Sequence, residues 1–330
     1  MNAITFHPLK DYYCPKSKSR VISTSLTDIC EYAAGNTKII QLWHGTPLKK
    51  IMNDDTLTFK KTTLKQKLSQ IVFPFFKSDY SKALIVSPSQ EVSEIFSSAF
   101  LAKKTSIKLT GYPRNDSFFM PHDTSFPLAQ QLQLLKKEQC SIGIYMPTHR
   151  QEGKSEIFSL FYSALPQLNK TLKQLNTALF VKLHFYHNQS TGTEQTVSFS
   201  NIFFIKDEDI NQDIYNLLPY TDFLITDYSS IYFDYLLTDK PIIFTPFDIQ
   251  EYITKDRTFY FDYTAVTPGP KASDWNEVSE YIKKFKQTPS FFSKERSALC
   301  ARFNKYCEGK ACQRVYFEVM KFLYPNHNEK

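Results

Sequence analysis

The stretch Thr221–Asp248, TDFLITDYSSIYFDYLLTDKPIIFTPFD, constrains the fold more than any other part of the chain. Its apolar run Phe223-Leu224-Ile225-Thr226 has the length and composition of a strand buried on both faces, as in a parallel sheet. Asp227-Tyr228-Ser229-Ser230 follows at once and offers side-chain oxygens to the free N–H groups of a helical first turn. Ile231, Tyr232, Tyr235 and Leu236 recur at helical spacing, and the pattern stops at Asp239-Lys240-Pro241 because proline cannot continue a helix. Ile242-Ile243-Phe244 is a second buried strand. The segment therefore reads as one βαβ unit. Its strand-to-helix turn gathers N–H groups, the positive end of a helix and two Ser hydroxyls, a setting that suits a phosphate. The same residues also serve as plain helix caps, and this turn alone leaves both readings open.

The alternation continues along the chain. Apolar runs predict strands at Lys38–Leu42, Ala83–Val86, Ile107–Thr110, Ser141–Met146, Ala178–Leu183 and Asn201–Ile205. Val21–Cys30 reads as a strand followed by the start of a helix. Helical periodicity covers Gln90–Phe100, Ala129–Lys137 and Phe158–Asn176, with a short helix at Asp213–Leu218, and Asp274–Leu323 is largely helical. Phe118–Leu128, with Pro121 and Pro127, reads as a linker. A chain of 330 residues with this pattern predicts an α/β protein of two Rossmann-like domains facing each other across a cleft.

Glycine is scarce, with 8 residues, and neither G-x-G-x-x-G nor G-x-x-x-x-G-K-[ST] occurs. Neither a nicotinamide-type Rossmann site nor a P-loop is therefore expected, and a phosphate site would use hydroxyls, Arg and helix ends. The six cysteines show no C-x-x-C spacing, and Cys300, Cys307 and Cys312 read as helix-core residues. With no signal peptide over Met1–Arg20, a reducing cytoplasm is the expected compartment. No apolar run reaches the ~20 residues that span a bilayer. The net charge of +7 admits an anionic partner without naming it. Leu57–Phe76 places Leu57, Leu64, Leu68, Ile71 and Phe75 on one helical stripe, beside Lys60, Lys61, Lys65 and Lys67. That segment reads either as an ordinary solvated helix or as a face held against anionic lipid.

Polar clusters recur directly after predicted strands: His44, Arg114, Arg150, His184 and the Ser229-Ser230 turn. Parallel sheets bring such positions to one edge. Two His, two Arg and two Ser, with no D-x-D pair beside them, suit a phosphate substrate handled without a metal. A neutral His accepts a hydroxyl proton at neutral pH. His44 also reads as a packed histidine beside Trp43, and Gly45 permits close backbone approach or a positive φ.

In order, the segments QLWHGTPLK (Gln41–Lys49), GYPRND (Gly111–Asp116), YMPTHR (Tyr145–Arg150), KLH (Lys182–His184), TDYSS (Thr226–Ser230), Pro246-Phe247-Asp248 and Pro268-Gly269-Pro270 resemble the CDP-glycerol glycerophosphotransferases of teichoic-acid and capsule synthesis. The resemblance implies a GT-B-like fold, with an acceptor-side domain over residues 1–128 and a CDP-alditol-binding domain over residues 129–305. Residues 306–330 would form a C-terminal helix crossing back to the first domain. It implies transfer of an alditol phosphate from CDP-glycerol or CDP-ribitol to an acceptor hydroxyl, with release of CMP. His44 falls on the implied general base and His184 on a second catalytic histidine. Arg150, Ser229 and Ser230 fall on implied donor-phosphate contacts. Gly45, Thr46, Arg114, Thr148 and Asp227, within the matching segments, complete the candidate substrate-binding set. No cofactor and no metal are expected. The implied partners are the donor, a membrane-linked or polyol-phosphate acceptor and an anionic membrane surface, with no nucleic acid; the implied location is the inner face of the bacterial cytoplasmic membrane. A nucleotide-sugar glycosyltransferase and a non-catalytic lipid- or polymer-binding protein share the same fold-level pattern.

Overall fold

The computed structural model describes residues 19–23, 38–55, 80, 82–121, 126–148, 156–183, 199–210, 213–255 and 258–325. Two parallel sheets organise the chain. The first contains β1 (Ser19–Ile22), β2 (Lys38–Gln41), β3 (Leu84–Ser87) and β4 (Ile107–Leu109), in that order. The second contains β5 (Ser141–Tyr145), β6 (Thr177–Val181), β7 (Ile202–Phe204), β8 (Phe223–Thr226) and β9 (Ile242–Phe244), in the order β7-β6-β5-β8-β9. Its order reverses between β5 and β8. Ligands of open α/β sheets bind at such a reversal, outside the carboxyl ends of the strands. The loops after β5 and β8 therefore flank the predicted crevice.

The βαβ unit forms as the sequence predicts. β8 pairs with β9 in parallel, Leu224 opposite Ile242 and Thr226 opposite Phe244. All four residues of β8 are buried, which is why the run lacks apolar–polar alternation. The intervening helix α4 is short, Ile231–Tyr235, and tightens into a 3-10 turn before Asp239 adopts a left-handed φ of 52°. The Pro268-Gly269-Pro270 loop lies against β9: Phe244 N–H donates to the Pro270 carbonyl at 2.9 Å, and a Cβ at Gly269 would meet the Ile242 carbonyl oxygen at 2.0 Å. Only glycine fits there, so this motif glycine is a packing requirement of the sheet edge.

The other described helices are α1 (Gln90–Ala99), α2 (Pro127–Lys137), α3 (Glu156–Gln174), α5 (Ile249–Lys255), α6 (Trp275–Gln287), α7 (Ser293–Phe303) and α8 (Ala311–Leu323). α2 starts at Pro127, whose fixed φ and missing N–H suit a first helical position, so the predicted linker ends two residues early. The helix expected over 213–218 consists of two 3-10 turns. One apolar core runs through both halves, from Ile40, Trp43 and Phe96 to Tyr228, Phe233 and Phe303. A second cluster fills the far face of the second sheet, where Phe161 and Leu168 of α3 meet Trp275 and Phe285 of α6.

The chain returns to the first sheet at its end. Both oxygens of Asp116, after β4, accept from the first-turn amides of α8, Ala311 and Cys312, at 2.8 Å each. Arg314 Nε donates to the Thr110 carbonyl at 2.7 Å. The reading of three helix-core cysteines is corrected: Cys300 is half-buried on α7, but Cys307 lies exposed between helices and Cys312 is exposed on α8. Residues 57–76, the basic amphipathic segment, lie outside the described residues. Among those described, no helix is long and apolar enough to cross a membrane.

Candidate active site

β2 delivers the chain into the loop that carries His44. Trp43 has φ 56° and Gly45 φ 135°, so the histidine is held between two residues in conformations that L side chains rarely adopt. Several contacts hold that geometry. Trp43 is buried and meets Phe96 and Phe100 edge-on, and its backbone N–H donates to Gln41 Oε1 at 2.8 Å. The His44 ring lies over Trp43 at 4.1 Å between centroids. Its Nδ1 is 3.0 Å from the Ser23 carbonyl oxygen, just beyond β1. A carbonyl can only accept, so Nδ1 carries a proton, and in the neutral ring Nε2 is the nitrogen with the lone pair. The ring itself is exposed. The far end of the loop is paired to the other half of the molecule: Lys50 N–H donates to the Thr258 carbonyl at 2.8 Å, and Tyr260 N–H to the Leu48 carbonyl at 2.9 Å.

The opposite wall comes from the second sheet. Asp227, 1% exposed, accepts from the amides of Tyr228 at 2.5 Å and Thr148 at 2.8 Å through Oδ1. One carboxylate thus ties the loop after β8 to the loop after β5. The simple capping reading is corrected here. The helix begins at Ile231, Ser230 takes the cap position with no side-chain cap bond, and Asp227 is spent on the two loops. Ser229 and Ser230 line a cavity of 520 Å³ between the two walls. His44, Gly45, Thr46, Lys49, Thr148, Lys182 and Tyr252 line it with them. The described lining carries two lysines and no carboxylate. Lys49 Nζ donates to Tyr252 OH at 3.1 Å.

Of the predicted site residues, the structure brings His44, Gly45, Thr46, Thr148, Ser229 and Ser230 to this one cavity. Asp227 lies behind it. Arg114 is not on its wall either: Nη1 donates to the His44 carbonyl at 2.7 Å, and Nη2 pairs with Asp234 of α4. Arg150 and His184 lie outside the described residues. Asp234 is fully buried and also accepts from Tyr215 OH at 2.7 Å and Asn115 Nδ2 at 3.0 Å. Burial opposes the charge on Arg114, but Asp234 and then Tyr215 outweigh it and push the guanidinium up. Burial, followed by the Asp234 charge, pushes the Tyr215 and Tyr112 hydroxyls well up, so both stay protonated at neutral pH. Sequence reasoning missed Asp234, Tyr215, Tyr252 and the Ser23 carbonyl, and named Lys182 only as part of the KLH segment. A lone Asp inside the apolar α4 was the available signal for the first; nothing in the sequence marks the Ser23 carbonyl.

Two parallel sheets whose carboxyl ends face one cleft, closed by C-terminal helices that return to the first sheet, define a GT-B-type enzyme. The wall teichoic acid polymerase TagF shares the fold, with a TM-score of 0.68 and 25% identity over 89% of this chain and 70% of TagF. The profile of the family described as CDP-Glycerol:Poly(glycerophosphate) glycerophosphotransferase matches residues 2–321, and the chain belongs to that family. It is 31% identical to a teichoic acid poly(glycerol phosphate) polymerase of Bacillus spizizenii, over 86% of this chain and 70% of the relative. It is 28% identical to a teichoic acid glycerol-phosphate transferase of Staphylococcus aureus, over 93% and 77%. The chain is therefore an enzyme, an alditol-phosphate transferase, which sets aside the nucleotide-sugar and non-catalytic readings.

Proposed function

We propose that this enzyme transfers glycerol phosphate from CDP-glycerol to a hydroxyl of a membrane-linked polyol-phosphate acceptor at the inner face of the membrane. The glycerol names of the family and of its relatives support that alditol, and a TagF structure obtained with CDPG supports the donor. Ribitol phosphate is the second reading, because a poly(ribitol-phosphate) polymerase is also a relative. The observation that carries the mechanism is the Nδ1 contact of His44 with the Ser23 carbonyl, which leaves Nε2 as a proton acceptor.

In this reading the acceptor oxygen attacks the β-phosphorus in line and its proton passes to Nε2 of His44. The bond from that phosphorus to the CMP oxygen breaks, and CMP leaves with the electron pair. A positioned base contributes ~10²–10⁴-fold to such a step. In this reading Ser229, Ser230 and Lys182 donate to phosphate oxygens and Thr148 completes that wall; their shared place in the cavity lining supports it. Arg150 and His184, from the sequence, are assigned to the donor phosphates and to charge on the leaving group. Transfer proceeds without a metal in this reading; Lys49 and Lys182 of the described lining, which can offset phosphate charge, support it. Residues 57–76 supply the contact with anionic lipid, on the strength of their lysines and apolar stripe.

The test is CMP release from CDP-glycerol, CDP-ribitol and UDP-sugars by wild type and His44→Ala, with and without EDTA. CDP-glycerol turnover that persists in EDTA and falls at least ~100-fold in a folded His44→Ala protein is expected. Turnover within threefold of wild type in that variant would remove His44 as the base.

A further inference from the structure

Arg114 was expected at the substrate, yet its side chain and those of its neighbours Asn115 and Asp116 are all committed within the protein. Asp116 holds the start of α8, and Arg114 and Asn115 converge on Asp234. Asp234 stands one helical turn after Ser230, four residues on, and so on the same side of α4. A chain of direct contacts then links the two walls: Ser230, through one turn of backbone, to Asp234; Asp234 to the Arg114 guanidinium; Arg114 Nη1 to the His44 carbonyl. Gly45 completes the circuit. A Cβ there would come within 2.7 Å of Arg114 Nη2 and 3.4 Å of Ser230 Oγ.

We infer that the Arg114–Asp234 pair is a positioning device that sets His44 against the Ser229-Ser230 turn, and that Arg114 does not contact substrate. Both terminal nitrogens of Arg114 already have acceptors, and the guanidinium lies over the Tyr215 ring at 4.6 Å. A donor phosphate would have to displace Asp234 to reach it. An apolar pair could join the halves with equal or greater stability, since burying two charges is costly. What the ion pair adds is direction: a planar fork whose two nitrogens have separate acceptors, one on each wall. Asn115 and Tyr215 hold the carboxylate from two further directions, so it cannot rotate away.

The inference rests on His44 as the base, and its test separates the two. Asp234→Asn keeps the shape and removes the charge; Tyr215→Phe removes one hydrogen bond and is the milder variant should Asp234→Asn fail to fold. Three quantities are measured: kcat for CMP release, CDP-glycerol affinity by calorimetry, and the ring signals of His44 in ¹⁵N-edited spectra, assigned through His44→Ala. Expected for Asp234→Asn is kcat lower by ~10–100-fold, the loss that a misplacement of about 1 Å brings. Donor affinity should stay within threefold, and the His44 signals should shift. Tyr215→Phe should act in the same direction with a smaller loss. Arg114→Lys should also lower kcat with donor affinity retained. An unshifted His44 signal with unchanged kcat in a folded variant would overturn the inference. So would loss of donor affinity at unchanged kcat in Arg114→Lys, which would make Arg114 a substrate contact. Failure of wild type to release CMP would strike only the catalytic reading, because the spectra still report the clamp.

Discussion

Gly45→Ala isolates the coupling between the two walls with a single methyl group. The added carbon would lie 2.7 Å from Arg114 Nη2, roughly 0.8 Å inside an ordinary carbon contact of about 3.5 Å. A free Arg side chain would swing aside at little cost. This one is held by Asp234, by the His44 carbonyl and by the Tyr215 ring, so the loop must move instead. The backbone adds its own penalty, because φ at this position is 135° and alanine avoids that region; such strain costs on the order of 1–3 kcal/mol. Unfolding in urea should therefore show about 1–3 kcal/mol of lost stability. His44 is the adjacent residue, and a shift of about 1 Å in a catalytic group lowers turnover by ~100-fold. CMP release from CDP-glycerol should fall by that order while donor affinity, set mainly on the other wall, changes little. A folded Gly45→Ala enzyme with turnover within threefold of wild type and stability within about 0.5 kcal/mol would refute the reasoning, since neither the contact nor the dihedral would then matter.

Joint replacement Ser229→Ala with Ser230→Ala should weaken CDP-glycerol binding by ~100-fold or more, from the loss of two hydrogen bonds to charged phosphate worth about 1.5–3 kcal/mol each; unchanged calorimetric affinity would place the donor elsewhere. Asp116→Ala removes both acceptors for the first turn of α8 and should cost about 1–3 kcal/mol in urea unfolding. Amide exchange in that variant should rise first at Ala311 and Cys312, and protection equal to wild type there would show that the cap is dispensable.

The βαβ unit was legible because a buried parallel strand is an uninterrupted apolar run and because Pro241 stops the helix between its strands. The loops that carry chemistry were legible for a related reason, since a polar cluster directly after such a run falls at a strand end. Their contacts were not. Arg114 and Asp234 are 120 residues apart, and no local pattern says which strand-end cation meets which buried acid. The sequence did hold one unread clue. A single carboxylate within Ile231–Tyr235, where all other side chains are apolar or aromatic, must find partners if the helix is buried. The tautomer of His44 depends on a backbone carbonyl, and carbonyls have no sequence signature. The order of the second sheet likewise depends on crossovers that apolar periodicity does not encode.

The return of α8 to the first sheet has a consequence for how the protein is made. Arg314 binds the Thr110 carbonyl across 204 residues of chain. At a ribosomal rate of about 5–20 residues per second, the surface of the first sheet waits roughly 10–40 s for the helix that covers it. Throughout that interval Asp116 has no amides to accept from, and the apolar groove that takes Ala311 and Val315 stands open. Until residues 311–314 have been made, the nascent first half lacks the helix that covers it, and a ribosome stalled before residue 311 would hold an unfinished sheet.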